Sequence, residues 1–318
     1  MYFPYLRGRQ YELLALRELA EKDLLGEHIV PIVEPVKLSP TLINAMSAFI
    51  EAKHSLAVIR NPAVGGFMTD WRDAQEGSKE EGYKQKFLKL YSEPEIIKAL
   101  IMQRNTSSLL NAWKKQNINK ADMLVVNADR DYLSLYEQEF GEIIPRFSLI
   151  PDETAFRRKV RHHKVLLDDK FEKQDRNSDY QIKPDEFFSD DHLYYEEDGF
   201  SGFSDYSVVG VDYQEAGFAP YAVAIHIVYF AENKSLRVKH FVSDSNEDIT
   251  NPALKYYEAV SKLAKWYNSD PHPVQLTTGL QAFLQHYENQ SYPGLGTVKK
   301  LSLMHHLELM GKYLSEVK

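Results

Sequence analysis

Short apolar runs rich in Val and Ile alternate along this chain with stretches of helical periodicity, and that alternation restricts the fold more than any other feature. HIVPIVEPVK (28–37) reads as a strand. SPTLINAMSAFIEAKH follows, with a Ser N-cap and apolar residues at helical spacing. SLAVIRNP (55–62) is a second strand, closed by Pro, and ADMLVVNADRD (121–131), PRFSLIPDE (145–153) and KVLLDDKF (164–171) are three more. FPYLRGR (3–9) supplies a first strand ahead of the helix YELLALRELAEKD. The region from Pro62 to about Asn119 reads as polar and helical, with GGFMTDWRDAQEGSKEEG as a loop over one face. DYSVVGVDYQEAG (205–217) reads as a further strand, and AVAIHIVYFAENKSLRVKHFVSD (222–244) as a hairpin turning at AENKS.

Strands that alternate with helices imply a parallel sheet. About eight of them in this length indicate an α/β fold of the (β/α)8 TIM-barrel type, with a β-hairpin insertion and C-terminal helices. A doubly wound open sheet is the rival, but it carries a Gly-rich phosphate loop after its first strand, and RGRQYE is not one. The expectation is one domain over 1–318, with 173–204 as an excursion or lid. The helices at 252–268, 277–290 and 297–316 are expected to pack on the barrel.

The chain has 318 residues, 43% of them hydrophobic, with 20 Tyr and 16 Phe, which suits a large folded core. A formal charge of -8 argues against direct nucleic-acid binding, which calls for a basic face. One candidate basic patch, RRKVRHHK (157–164), reads more simply as a solvated helix end. With no Cys, disulfides, thiolate metal sites and cysteine nucleophiles are excluded. No apolar run reaches the roughly 18 residues of a membrane span. MYFPYLRGRQ lacks the apolar core of a signal peptide, so the expected location is the cytoplasm.

In such barrels chemistry lies at the C-terminal ends of the strands. Those ends carry Arg7, Arg9, Glu34, Lys37, Arg60, Asn61, Asn127, Asp129, Asp152, Asp168, Asp169, Lys170, Asp212 and Glu215, whereas the strands begin in apolar residues. A lone Asp there is more often a turn or cap residue. Arg60 is harder to dismiss, because it follows four apolar residues and precedes Asn-Pro. Its guanidinium is expected to project across the barrel top, either pairing with Glu34 or gripping an anion bidentately. Arg7, Lys37, Asn127 and Lys170 are further ligand-binding candidates. Glu34, Asp169 and Asp212 are candidate acid–base groups. Asp129, Asp168 and Asp169 are candidate oxygen ligands for Mg or Mn. The histidines offer no metal spacing, and His226 and His240, on neighbouring hairpin strands, read as packing residues. No Gly-x-Ser-x-Gly elbow is present.

YFPYLRGRQYELLAL, HIVPIVEPV, VLLDDKF and GFSDYSVVG together resemble the beta-protein family of bacterial and phage genomes. The resemblance covers most of the chain, excepting the acidic segment and the C-terminal helices. It implies a (β/α)8-type barrel in a mobile-element or antiphage-defence setting, beside a gene for a nuclease-like protein. It assigns no reaction. Arg7, Glu12, Glu34, Arg60, Asp169, Asp205 and His306 are the positions that match its motifs.

Two readings follow from the residues. One is an enzyme acting on a phosphate-bearing small molecule, with Arg60 and Lys37 clamping the anion and metal-assisted phosphoester hydrolysis as the economical reaction. The other is a non-catalytic sensor, immunity or regulatory partner of a neighbouring gene's product. The aromatic strip FFSDDHLYYEEDGFSGFSDY (187–206) would then be a contact surface or a self-packing lid.

Overall fold

In the computed structural model, which describes residues 1–214, 220–269 and 274–317, the chain divides into two compact units. The first comprises Met1–Leu13, Ile29–Asp168 and Tyr194–Asp205, and it is a parallel barrel. Its strands and helices run β1 (Tyr5–Leu6), α1 (Gln10–Glu21), β2 (Ile32–Val33), α2 (Pro40–Glu51), β3 (Leu56–Ile59), α3 (Phe67–Asp73), α4 (Lys79–Tyr91), β4 (Ile96–Ile101), α5 (Thr106–Lys114), β5 (Leu124–Val126), α6 (Leu133–Phe140), β6 (Phe147–Ile150), α7 (Thr154–Lys159) and β7 (Lys164–Leu167). After β8 (Asp185–Ser189) and the short α8 (Asp191–Tyr194), β9 (Gly202–Ser204) completes the barrel beside β7. From Leu14 onward, α1 groups with the second unit.

The sheet order is β1-β2-β3-β4-β5-β6-β7-β9, with every pairing parallel, and backbone hydrogen bonds join the last strand to the first. Phe3 N–H donates to Phe203 O at 2.8 Å, Tyr5 N–H to Asp205 O at 2.8 Å, and Phe203 N–H to Met1 O at 3.0 Å. Gly202 makes this closure possible, since a Cβ there would lie 2.7 Å from both Met1 O and the Phe3 ring. Inside, Phe3 meets Phe147 edge-on at 4.7 Å.

Several strand assignments differ from the sequence expectation: β8 and β9 lie in the stretch 173–204 expected as an excursion or lid, and β9 is a barrel strand. β4 lies in the region expected to be polar and helical, because Lys98 breaks its apolar run. Lys98 is accommodated by turning its stem along the strand and donating to Glu93 O at 3.0 Å. Over 205–214 there is no strand. The extended chain stops at Ser204, and Ser207 takes a left-handed backbone (φ 51°) that opens a single 3-10 turn, Ser207–Val209. Residues 215–217 of that expected strand lie outside the described residues.

The second unit, Leu14–His28, Asp169–Leu193 and Tyr206–Lys318, is built on an antiparallel sheet. The expected hairpin is β10 (Ala224–Phe230) and β11 (Leu236–Val242), and β8 adds to it in the order β10-β11-β8. The helices α9 (Pro252–Tyr267) and α11 (Leu295–Val317) pack on this sheet, and α10 (Thr278–Glu288) packs on both helices. α11 is buried almost all round from Leu301 to Gly311, as expected of a core helix. Among the described residues, no helix is long and apolar enough to cross a membrane.

Candidate functional site at the strand ends

Register decides which strand-end side chains meet. β2 and β3 pair Ile32 with Ala57 and Val33 with Val58. The next pair is therefore Glu34 with Ile59, which leaves Arg60 on the opposite face of the sheet.

Glu34 is fully buried and is held on three sides. It accepts from Tyr5 Oη at 2.8 Å and from the Ala63 backbone N–H at 2.7 Å, and it pairs with the Arg7 guanidinium. The ion pair expected with Arg60 is thus made with Arg7, and Glu34 ties β1 and the loop after β3 to the end of β2. With these donors engaged, its carboxylate serves as an anchor.

Arg60 turns outward, toward the helices. Its guanidinium carbon lies 3.4 Å from the centre of the Trp71 ring, with Phe67 and Phe87 at 5.8 and 6.0 Å. Among the described residues no carboxylate pairs with it, and burial lowers its pKa to about 10. Lys84 adds a second cation here, donating to Trp71 O at 3.0 Å with its ammonium 5.2 Å from the same ring centre.

The remaining candidates are dispersed. Asn61 staples β3 to β4, donating to Ile101 O at 2.8 Å and accepting from its N–H at 3.0 Å. Asn127 is 1% exposed, and neither its Oδ1 nor its Nδ2 has a hydrogen-bond partner among the described residues. Lys37 is exposed. Asp129 caps the turn that follows β5, accepting from Asp131 N–H at 2.9 Å, and Asp152 pairs with Arg157. Asp168 is exposed at the end of β7. In the second unit, Asp169 accepts from Val211 N–H at 2.8 Å and from Phe171 N–H at 3.3 Å. Lys170 pairs with Asp191 at 3.0 Å, and Asp212 is exposed. Among the described residues no group of three His, Asp or Glu side chains is placed to hold a metal ion, so Asp129, Asp168 and Asp169 do not form one.

No family model matches this chain, and neither a curated protein nor a solved structure does.

Several functional-looking groups were not legible in the sequence. Trp71, which carries the Arg60 guanidinium, lies in a stretch that reads as a loop, and nothing in the spacing links the two. In the second unit, Ser207 Oγ lies 2.7 Å from His306 Nδ1, and Thr277 Oγ1 lies 2.7 Å from His305 Nδ1. Both histidines are 0% exposed, and burial lowers their pKa values, to about 4 for His305 and about 3 for His306. Ser207 is also fully buried. Each pair makes a buried hydrogen bond within the second unit.

Proposed function

We propose that this chain is a non-catalytic binding barrel that recognises a small phosphate-bearing anion through Arg60, acting as a sensor or regulatory subunit in a mobile-element or antiphage-defence system. The observation that carries the reading is the guanidinium of Arg60, half-buried and over the face of Trp71, with no carboxylate paired to it among the described residues. Removing a cation from water is unfavourable, and the indole face offsets only part of that loss, on the order of 1 to 2 kcal/mol. An anion gripped by the open edge of the guanidinium would offset the remainder. Lys84 adds positive potential at the same spot, in a chain whose formal charge is -8. Asn127 supports a ligand at the strand ends as well, because a buried, unpaired amide is unfavourable by about 1 to 3 kcal/mol until something meets it.

The binding reading is favoured over hydrolysis because two of the three candidate acid–base carboxylates are engaged. Glu34 is saturated by Tyr5, Arg7 and Ala63, and Asp169 accepts two backbone N–H groups. The setting and the partner, a product of a neighbouring gene, rest on the resemblance in the strand motifs.

A thermal-shift screen against inorganic phosphate, nucleotides and sugar phosphates tests the reading. A rise in Tm that disappears in Arg60→Ala is the expected result. A rise retained in that variant, or none with any phosphate compound, overturns it.

A further inference from the structure

Independently of the anion reading, we propose that His226, His240 and Glu186 form an acid-sensitive clasp across the three-stranded sheet, closed with one proton between the two imidazoles and opened by a second proton on the pair. The two histidines are directly opposed in the β10–β11 register, and their Nδ1 atoms are 2.7 Å apart. His240 Nε2 lies 3.1 Å from Glu186 Oε1 on β8. A chain of hydrogen bonds therefore runs through side chains from β10 to β11 to β8.

Proton counting sets what this chain tolerates. Two ring nitrogens at 2.7 Å need one N–H and one lone pair between them. Glu186, as a carboxylate, asks for an N–H from His240 Nε2. If both rings are neutral, His240 must then accept at Nδ1, and His226 must donate from Nδ1 and leave its Nε2 bare. A first added proton goes to that bare Nε2, and every bond survives. A second can go only to His240 Nδ1, where it sets N–H against N–H and places two imidazolium rings together, their centroids 4.9 Å apart.

The surroundings oppose charge on the pair more than they favour it. Tyr180 meets both rings at 4.7 Å, and Phe171 meets His226 edge-on at 5.1 Å. From β8 the facing charged groups are Glu186 and Asp185, the latter already held by Arg237, Lys239 and Tyr229. From β11 the neighbouring charge is Lys239, and from α11 it is Lys299. Burial is the largest influence on both rings and lowers both pKa values. His240 and Lys299 lower that of His226 further, while Glu186 works in the opposite direction on His240.

The folded pair thus binds one proton fewer than the unfolded chain once the pH falls below the ordinary histidine value, and the difference is released as opening of the sheet. The test is urea unfolding of the full chain between pH 7.5 and pH 5, for wild type and His226→Phe. The wild-type unfolding constant is expected to rise about tenfold more per pH unit than that of the variant toward the acid end. Parallel profiles overturn the clasp. If the variant does not fold, nitrogen-15 spectra of the histidine-labelled wild type decide. A trans-hydrogen-bond coupling between the two Nδ1 atoms at pH 7.5 is the expected result, and its absence overturns the proposal. So does a native protein at pH 5 with both rings doubly protonated.

Discussion

Glu34 closes its ion pair on Arg7 of the preceding strand, whereas Arg60 of the following strand stacks on Trp71. The two cations occupy opposite faces of the sheet, and they differ in what they have available. Arg7 carries a buried counter-charge, whereas among the described residues Arg60 has aromatic rings and the Met68 sulfur but no carboxylate.

The first consequence concerns Glu34→Gln. The amide keeps the volume but loses the charge that compensates Arg7, and it turns its one NH2 donor either toward Ala63 or toward Tyr5 and Arg7. Breaking a buried pair in this way is expected to destabilise the protein by about 3 kcal/mol. The urea midpoint of the variant measures it, and a loss below about 1 kcal/mol would mean that the carboxylate is not the anchor described here.

Arg60→Lys separates charge from shape. The ammonium keeps the cation but loses the planar fork and the stack on Trp71. Stability should change by less than about 1 kcal/mol, because no ion pair is broken. Titration with whichever phosphate compound raises the Tm of the wild type should give at least about tenfold weaker binding, since one well-made charged hydrogen bond is worth about 1.5 kcal/mol or more. Unchanged affinity would show that charge alone suffices.

His305 and His306 are expected to make the second unit sensitive to acid in their own right. Their folded pKa values, about 4 and about 3, lie below the ordinary 6.5. Stability from keeping them neutral is therefore complete above pH 6.5 and declines as the pH falls from there toward the folded values. At pH 5 either one alone should lower stability by about 2 kcal/mol. Urea unfolding of His226→Phe at pH 7.5 and pH 5 isolates this contribution from that of the clasp, and a flat profile in that variant would contradict it.

Gly202→Ala tests the barrel seam. A methyl group there would lie 2.7 Å from the Met1 carbonyl oxygen and from the Phe3 ring, and the backbone oxygen cannot swing away without breaking the ladder. The expected loss is about 2 kcal/mol or more, read from thermal unfolding. A variant as stable as the wild type would mean that the seam is loose.

The alternation of apolar runs and helical stretches determined the parallel barrel, because a strand buried on both faces must be apolar throughout and its return connection must be helical. The hairpin that carries His226 and His240 was likewise legible from its turn at AENKS, but the sequence read the two as packing residues, and their direct opposition came from the structure. β4 was not legible, because Lys98 imposes a polar break that only a nearby carbonyl acceptor makes tolerable. Nor was the eighth barrel strand. Gly202–Ser204 is three residues long and is recognisable as a strand only through hydrogen bonds to β7 and to the N-terminal residues, far away in sequence. Which strand-end charge met which partner was decided by tertiary structure alone. A one-residue difference in register moves a side chain to the other face of a sheet, and local sequence does not encode the stagger between neighbouring strands. That stagger gave Glu34 to Arg7 and left Arg60 to Trp71.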